Sequence, residues 1–169
     1  MKTITTAYIS LGGNLGNEAE RFSQALAAMD VWQGVHVSAV SRLYRTEPQG
    51  DTDQPWFSNQ VAALDCDARI TPENLLASLL QLEQKLGRNR DPSRRFGPRA
   101  IDLDLLLFGD TVCTDKRLYL PHPRMRERAF VLIPLAEIAP LLHFPDGESI
   151  VACLQKIRHH VEYQNIFQN

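Results

Sequence analysis

Residues 95–108 read RFGPRAIDLDLLLF, and the apolar run within them predicts a buried strand from Ala100 to Phe108. Two carboxylates, Asp102 and Asp104, interrupt this run two residues apart. Because successive side chains of a strand alternate between the faces of a sheet, both carboxylates are expected on one face. The opposite face would anchor the strand to the core through Ile101, Leu103, Leu105 and Leu107.

The segments before this strand predict an alternation of strands and helices. Strands are predicted at 5–11, 35–44 and 58–64. A first helix should follow Asn17, which with Glu20 forms a candidate capping box. A second should begin after Thr71 and end at Gly87. The order β-α-β-β-α-β is that of a ferredoxin-like α+β sandwich, in which helices cover one face of the sheet.

Shorter elements are predicted after the quoted stretch. Residues 109–110 predict a turn, and residues 112–120 predict an added hairpin. One short helix is expected after Pro121-His122-Pro123, another between Pro134 and Pro140, and a peripheral helix from Glu148 to about His159. We expect the 169 residues to form a single domain, 1–169.

Composition and charge exclude several classes of protein. The chain is 44% hydrophobic and 22% charged, and its net charge of −2 argues against a generic nucleic-acid binder. Residues 1–13 do not resemble a signal peptide, and no apolar run approaches the ~18–20 residues that span a bilayer. The three cysteines are far apart, which indicates reduced thiols. We therefore expect a cytoplasmic monomer that binds neither nucleic acid nor membrane.

The basic residues are concentrated around the quoted stretch. Residues 88–128 contain ten of the eighteen basic residues, nine of them arginines, the side chain suited to bidentate phosphate contacts. Two acids on a strand are commonly solvated or neutralised by arginines, and their spacing alone favours that interpretation. The surrounding cations favour a second one, in which Asp102 and Asp104 bind Mg²⁺ together with the phosphates of ATP.

Other motifs are less specific. No P-loop, kinase catalytic loop or HExxH motif is present, and Gly12-Gly13-Asn14-Leu15-Gly16 is interpreted as a turn and helix cap. Trp56, Phe57 and Asn59 could form a pocket for a flat heterocycle, because aromatic rings offer stacking area and an amide both donates and accepts hydrogen bonds. Aromatic residues at strand starts are, however, more often part of the core.

Taken together, these motifs resemble those of the 6-hydroxymethyl-7,8-dihydropterin pyrophosphokinase family. The most specific match is Gly97-Pro98-Arg99-x-x-Asp102-Leu103-Asp104, and the resemblance runs from about Ala7 to Gly147. Supporting matches are Gly12-Gly13-Asn14-Leu15, Tyr44-Arg45-Thr46, Gln54-Pro55-x-Phe57-x-Asn59, Leu86-Gly87-Arg88 and Pro121-His122-Pro123.

The resemblance implies an ATP-dependent enzyme of folate biosynthesis that transfers pyrophosphate to the hydroxymethyl group of a pterin alcohol and releases AMP, by a Mg²⁺-assisted in-line displacement. It implies two Mg²⁺ ions bound by Asp102 and Asp104, and catalytic roles for both carboxylates and for Arg88 and Arg99. It implies ATP contacts at Arg88, Arg99, Arg117, His122 and Arg128. It implies a pterin pocket with aromatic faces at Phe57 and Phe130 and hydrogen bonds from Thr46 and Asn59.

Three features of the sequence differ from the family pattern. Phe96 replaces a tryptophan found in many members, and Phe57 replaces a frequent tyrosine. The loop at 88–99 is one residue longer than in some members, so Arg90, Arg94 and Arg95 receive no assignment.

Two other functions fit part of the sequence. A ferredoxin-like RNA-binding module would share the element order, but Asp102 and Asp104 would repel phosphate without a metal. An ATP-dependent transferase acting on another small alcohol is opposed only by the match around Phe57, Asn59 and Phe130.

Overall fold

Nine strands and four α-helices lie in residues 3–88 and 97–169, the parts of the chain that this computed structural model describes. In chain order they are β1 (Ile4–Gly13), α1 (Glu18–Asp30), β2 (Val35–Val40), β3 (Tyr44–Thr46), β4 (Phe57–Asp67), α2 (Pro72–Lys85), β5 (Asp102–Phe108), β6 (Cys113–Thr114), β7 (Tyr119–Leu120), a 3-10 turn (Met125–Glu127), α3 (Ala129–Ile138), α4 (Ile150–Gln155), β8 (His159–Glu162) and β9 (Asn165–Gln168). The predicted α+β class is confirmed.

The main sheet has the strand order β5-β1-β4-β3-β9-β8, and β2 also pairs with β4. β1 is antiparallel to both of its neighbours, whereas β3 and β9 are parallel. The continuous strand predicted at 35–44 is wrong, because β2 and β3 pair with different parts of β4. Between them the chain leaves the ladder at Ser41, whose Oγ accepts a hydrogen bond from the Val61 N–H at 3.0 Å.

Both predicted helix starts are confirmed, since α1 follows Asn17 and α2 follows Thr71, but their side-chain caps differ. At α2 the capping hydroxyl is confirmed, because Thr71 Oγ1 accepts from the Asn74 N–H at 3.3 Å; Asn74 Oδ1 also accepts from the Thr71 N–H at 2.9 Å, which completes a capping box that was not predicted. At α1 the predicted box is wrong, because Asn17 has a left-handed backbone with φ 57° and its side chain caps nothing. Glu18 instead reaches back to the Gly16 N–H at 2.5 Å.

Helices pack on both faces of the sheet, not on one as predicted. Ile9, Leu11, Leu103 and Leu105 form a buried cluster with residues of α1 and α2. On the opposite face, α3 and α4 form a second cluster with β4 and β5. Side chains alternate along a strand, so the β1 and β5 residues that lie between these apolar residues face the α3 side.

The end of β5 corrects the predicted face of Leu107. Tyr8 pairs with Leu107 and Ile9 with Leu105, so the register shifts by one residue at this point. A β-bulge of this kind interrupts the alternation of side chains. Leu107 consequently joins the α3 cluster, whereas Leu103 and Leu105 join the α1 and α2 cluster as predicted.

The last third of the chain also differs from the predictions. The hairpin at 112–120 is present in short form as β6 and β7. Pro134 lies inside α3 and is buried there, so it does not begin a helix; the apolar packing of its ring offsets the helical hydrogen bond that proline cannot donate. The helix predicted from Glu148 ends at Gln155, and a hairpin of β8 and β9 follows it and joins the main sheet. Within the described residues, no helix is both long and apolar enough to cross a membrane.

Candidate active site

A cavity of about 500 Å³ opens on the α3 side of the sheet. Strands β1, β3, β4 and β5 supply its floor, and the segment leading into α3 supplies one wall. The cavity brings together every predicted site residue except one: its lining includes Thr46, Phe57, Asn59, Arg88, Arg99, Asp102, Asp104, His122, Arg128 and Phe130. Arg117 lies instead in an adjoining cavity of about 260 Å³, which shares Arg88, Asp104 and His122 with the first.

The two aspartates lie side by side on the cavity floor. Asp102 is paired with Gly12 of β1, and Asp104 with Ser10. These small partners leave space above the sheet for both carboxylates. The shared face that the two-residue spacing predicts is thus the face that lines the cavity.

Arginines balance the charge of Asp102. Arg99 Nη1 lies 2.5 Å from Asp102 Oδ2, and Arg88 forms an ion pair with Asp102 Oδ1. Despite that ion pair, Oδ1 is buried and accepts no hydrogen bond of regular geometry within the described parts of the chain. Asp102 is therefore neutralised but retains an acceptor that is not fully satisfied.

Glu83 holds Arg88 in this arrangement. Its Oε1 lies 2.6 Å from Arg88 Nη1 and accepts a hydrogen bond from the Leu103 N–H at 2.7 Å, between the two aspartates. Burial raises the pKa of Glu83, although the Leu103 N–H and Arg88 oppose that shift. No motif points to Glu83, but its position four residues after Leu79 places a carboxylate on the apolar stripe of α2, a signal that could have identified it.

Asp104 is less well compensated than Asp102. Burial and the neighbouring charge of Asp102 raise the pKa of Asp104, while His122, Arg128 and Arg88 oppose the shift. No ion pair within 4.0 Å forms between Asp104 and the rest of the described chain. This carboxylate therefore has the greater need of a cation.

His122 and Arg128 approach Asp104 from the opposite wall. Burial lowers the pKa of His122, and Arg128 and Arg124 act in the same direction, against the effect of Asp104. His122 Nδ1 lies 3.3 Å from the Arg124 N–H, so the neutral ring carries its proton on Nε2 and can donate it to an anion. Arg128 Nε is buried without a hydrogen-bond partner among the described residues, so this donor is available too.

The donor set fits Mg²⁺ bound together with a phosphate ligand. The described residues contain no group of three or more His, Cys, Asp or Glu side chains that could enclose a metal by themselves. Mg²⁺ typically binds through one or two carboxylates, water and substrate phosphates. Asp104 offers an undercompensated carboxylate for this purpose. Asp102 would have to release Arg88 or Arg99 from at least one oxygen.

The other half of the cavity combines amide, hydroxyl and aromatic groups. Asn59 Nδ2 donates to Thr46 Oγ1 at 2.9 Å, and both residues are buried. The Arg99 guanidinium carbon lies 5.4 Å from the centre of the Phe57 ring. The corresponding distance from Arg128 to the Phe130 ring is 5.6 Å. Each aromatic residue thus contacts an arginine of the cationic half.

The glycine-rich segment at the end of β1 fixes Arg99 rather than capping α1. Asn14 Oδ1 accepts from the Arg99 N–H at 2.9 Å, and its Nδ2 donates to Pro55 O at 2.9 Å. A Cβ atom at Gly13 would lie 2.6 Å from Ala100 O, so only glycine allows this approach. The predicted turn is present between β1 and α1, but the side-chain cap is not, and Asn14 instead joins Arg99 to the loop before Phe57.

Some basic residues of the 88–128 window lie elsewhere. Arg126 stacks over Phe144 at 3.8 Å and pairs with Asp146 at 2.6 Å, away from the cavity. Arg90, Arg94, Arg95 and Phe96 lie outside the described residues.

Comparison with known proteins gives consistent results. The family model for 7,8-dihydro-6-hydroxymethylpterin-pyrophosphokinase matches residues 8–140. A curated protein of Methylorubrum extorquens, named 2-amino-4-hydroxy-6-hydroxymethyldihydropteridine pyrophosphokinase, is 46% identical over 91% of this chain and 94% of its own length. One of the same name from Pseudomonas aeruginosa is 45% identical over 89% of this chain and 93% of its own length.

A solved structure shares the fold. The crystal structure of wild-type Plasmodium falciparum HPPK-DHPS aligns with 99% of this chain at a TM-score of 0.70 and 14% sequence identity. This chain spans 46% of that longer one.

Proposed function

Because this chain belongs to the 7,8-dihydro-6-hydroxymethylpterin-pyrophosphokinase family, we propose that it transfers the pyrophosphoryl group of ATP to the hydroxymethyl group of 6-hydroxymethyl-7,8-dihydropterin and releases AMP. The predicted family and enzyme class are confirmed, since the curated relatives are named pyrophosphokinases. These matches also support a place in folate biosynthesis. The reaction course, the number of Mg²⁺ ions and the residue roles belong to the proposal.

One observation carries the proposal: a single cavity contains two adjacent carboxylates, a cationic rim and a polar-aromatic pocket. Transfer of a phosphoryl or pyrophosphoryl group requires that the phosphate charges be neutralised and that the attacking oxygen be held in line with the bond that breaks. The protein itself contributes little covalent chemistry. The cationic half of the cavity would bind the phosphates of ATP. The half with Asn59 and Thr46 would orient the pterin ring through its edge groups.

The residue roles follow from this division. Asp102 and Asp104 would hold two Mg²⁺ ions, which supply the charge neutralisation that allows a triphosphate to be attacked. When ATP binds, Arg88 and Arg99 would release the Asp102 carboxylate and bind phosphate oxygens instead. His122 and Arg128 would donate to phosphate, Arg117 would contact the nucleotide from the adjoining cavity, and Phe57 and Phe130 would stack on the pterin.

The finer description of the fold belongs to the same proposal. The strand order β5-β1-β4-β2, with α1 and α2 on one face, supports a ferredoxin-like sandwich extended by β3, β8 and β9. The alternative of an RNA-binding module has less support, because α3 packs on the sheet face that carries the aspartates. The monomeric state and the cytoplasmic location stay predictions.

Product analysis tests the reaction. We expect the purified chain, incubated with ATP, Mg²⁺ and the pterin alcohol, to form AMP only when the pterin is present, and to stop when EDTA is added. Formation of ADP, or AMP formation that is independent of the pterin, would contradict the proposal. Formation of AMP with an unrelated small alcohol at the same rate would favour the alternative transferase.

A pair of variants tests the pocket in the same assay. Asn59→Ala removes the amide from the polar-aromatic half and should weaken pterin binding by about tenfold or more, with a much smaller effect on ATP. Asp110→Asn, in the exposed turn after β5, is the matched control. Equal losses of affinity for both substrates in Asn59→Ala would show that the pterin pocket is wrongly placed.

A further inference from the structure

The start of α3 lacks a cap from its own segment. Arg128 occupies the N-cap position, and its side chain makes no capping hydrogen bond. The next residue, Ala129, is fully buried, so its N–H cannot be satisfied by bulk water. A buried donor in this position needs a protein partner.

Gln168 of β9 supplies that partner from 39 residues away. Its Oε1 accepts a hydrogen bond from the Ala129 N–H at 2.8 Å. Its Nε2 donates to Glu127 O at 2.7 Å. One side-chain amide therefore binds the backbone on both sides of Arg128 and fixes the direction in which Arg128 leaves the chain.

The rest of β9 contacts other walls of the same cavity. Ile166 is paired with Thr46 in the parallel β3–β9 ladder. The Phe167 ring packs edge-on against Trp56, the neighbour of Phe57, with ring centres 5.6 Å apart. This strand lies outside the residues matched by the family model, which end at 140.

We propose that Gln168 is a positioning residue of the active site, which holds residues 127–130 so that Arg128 and Phe130 face their substrates. The inference rests on the proposed function, because the roles of Arg128 and Phe130 come from it. Gln168 itself does not line the cavity, so it acts through the backbone and not by touching a substrate.

Comparing Gln168→Ala with Gln164→Ala tests the role. Both positions belong to the β8–β9 hairpin, but the Gln164 side chain is exposed in the turn. We expect Gln168→Ala to speed amide exchange at Ala129, measured by NMR, by about tenfold, because the buried N–H loses its acceptor. We also expect the Kd of the pterin, measured by calorimetry with a non-hydrolysable ATP analogue, to rise about tenfold. Gln164→Ala should change neither quantity.

A double variant separates positioning from general destabilisation. If Gln168 acts through Phe130, then Gln168→Ala should add little to the loss of pterin affinity already caused by Phe130→Ala. Full additivity of the two losses would mean that Gln168 does not act on pterin binding through Phe130, and would overturn the inference. A wild-type Kd in Gln168→Ala would overturn it as well.

Two further outcomes keep the test decisive. If Gln168→Ala does not fold, Gln168→Glu keeps the acceptor for Ala129 and loses the donor to Glu127 O, so a smaller rise in Kd is expected and an unchanged Kd overturns the inference. If the wild-type chain binds no pterin, the proposed function fails. Amide exchange at Ala129 would still show whether Gln168 holds the backbone at the start of α3.

Discussion

Asp102 and Asp104 are two residues apart on one strand, yet their charges are balanced differently. Asp102 has Arg88 and Arg99 as ion-pair partners. Asp104 has no such partner among the described residues, and burial together with the charge of Asp102 raises its pKa. An ionised group whose pKa is raised by folding reduces stability, because the unfolded chain ionises at a lower pH than the folded chain does.

This difference predicts opposite effects of the two amide substitutions on stability. Without Mg²⁺ at pH 7, Asp104→Asn should raise the free energy of unfolding by about 1 kcal/mol, since it removes an undercompensated charge. Asp102→Asn should lower it by about 1–3 kcal/mol, since two arginines lose their partner. Urea unfolding measures both, and both variants should lose Mg²⁺-dependent turnover.

The pH dependence gives a second check of the same residue. The cost of ionising Asp104 is absent below the unfolded-state pKa of about 3.9 and develops as pH rises through the folded-state value. The advantage of Asp104→Asn should therefore disappear at low pH. An Asp104→Asn variant that is less stable than the wild-type chain at pH 7 would show that Asp104 is already compensated.

The site residues that the sequence predicts are placed by local geometry, whereas those that it missed have partners far away in the sequence. Asp102 and Asp104 could be placed on one face from their spacing, because strand alternation is a local property. Glu83, Asn14 and Gln168 bind backbone groups 20, 85 and 39 residues away, respectively. No short motif encodes such a pairing, so the backbone partners of these residues become visible only when the fold brings the segments together, although the place of Glu83 on the apolar stripe of α2 already marks it as unusual.

At the scale of elements, a carboxylate on α3 ties that helix to β3. Tyr44 donates its hydroxyl hydrogen bond to Glu137 Oε2 at 2.5 Å, and the Arg42 N–H donates to Glu137 Oε1 at 3.0 Å. Burial alone would raise the pKa of Glu137, but these hydrogen bonds and the charge of Arg42 bring it below its ordinary value. A lowered carboxyl pKa stabilises the fold above the unfolded-state pKa and ceases to do so as pH falls through the folded-state value.

Glu137→Gln should therefore have a pH-dependent effect. At pH 7 we expect the free energy of unfolding to fall by about 1 kcal/mol, because two charge-assisted hydrogen bonds become neutral ones. The difference from the wild-type chain should shrink in acid, as pH falls through the lowered folded-state pKa and the wild-type carboxyl also takes up a proton. Glu20→Gln, exposed on α1, is the control. A difference that stays constant from pH 7 to acid would contradict the assigned protonation.

Element boundaries were less predictable than element types, for identifiable reasons. Residues 35–44 have continuous strand character, but β4 pairs with residues 35–40 and 44–46 in two separate segments, which gives β2 and β3. Pro134 indicates a boundary by propensity, yet the buried apolar residues around it keep α3 continuous. The β8–β9 hairpin forms because β3 offers it an edge, and that edge is a property of the whole sheet.

At the scale of the whole molecule, one sheet face packs the main core and the other lines the cavity. The face covered by α1 and α2 is closed by a continuous apolar cluster. The other face is only partly covered by α3 and α4, and the uncovered part forms the cavity. Because β9 and α3 both contact β3, the β8–β9 hairpin is joined to the sheet and to a cavity wall at once.

This continuity predicts that the chain unfolds as one cooperative unit, as expected of a single domain. The chain has two tryptophans, which contact different parts of the structure. Trp32 packs against the α1 and α2 cluster, whereas Trp56 contacts Phe167 of β9. Trp56→Phe and Trp32→Phe each leave one reporter, and the urea transition seen by each should coincide with the loss of circular dichroism in the same variant. A Trp56 signal that changes at lower urea would mean that the β8–β9 hairpin detaches first, so that α3 would lose the Gln168 cap before the sheet unfolds.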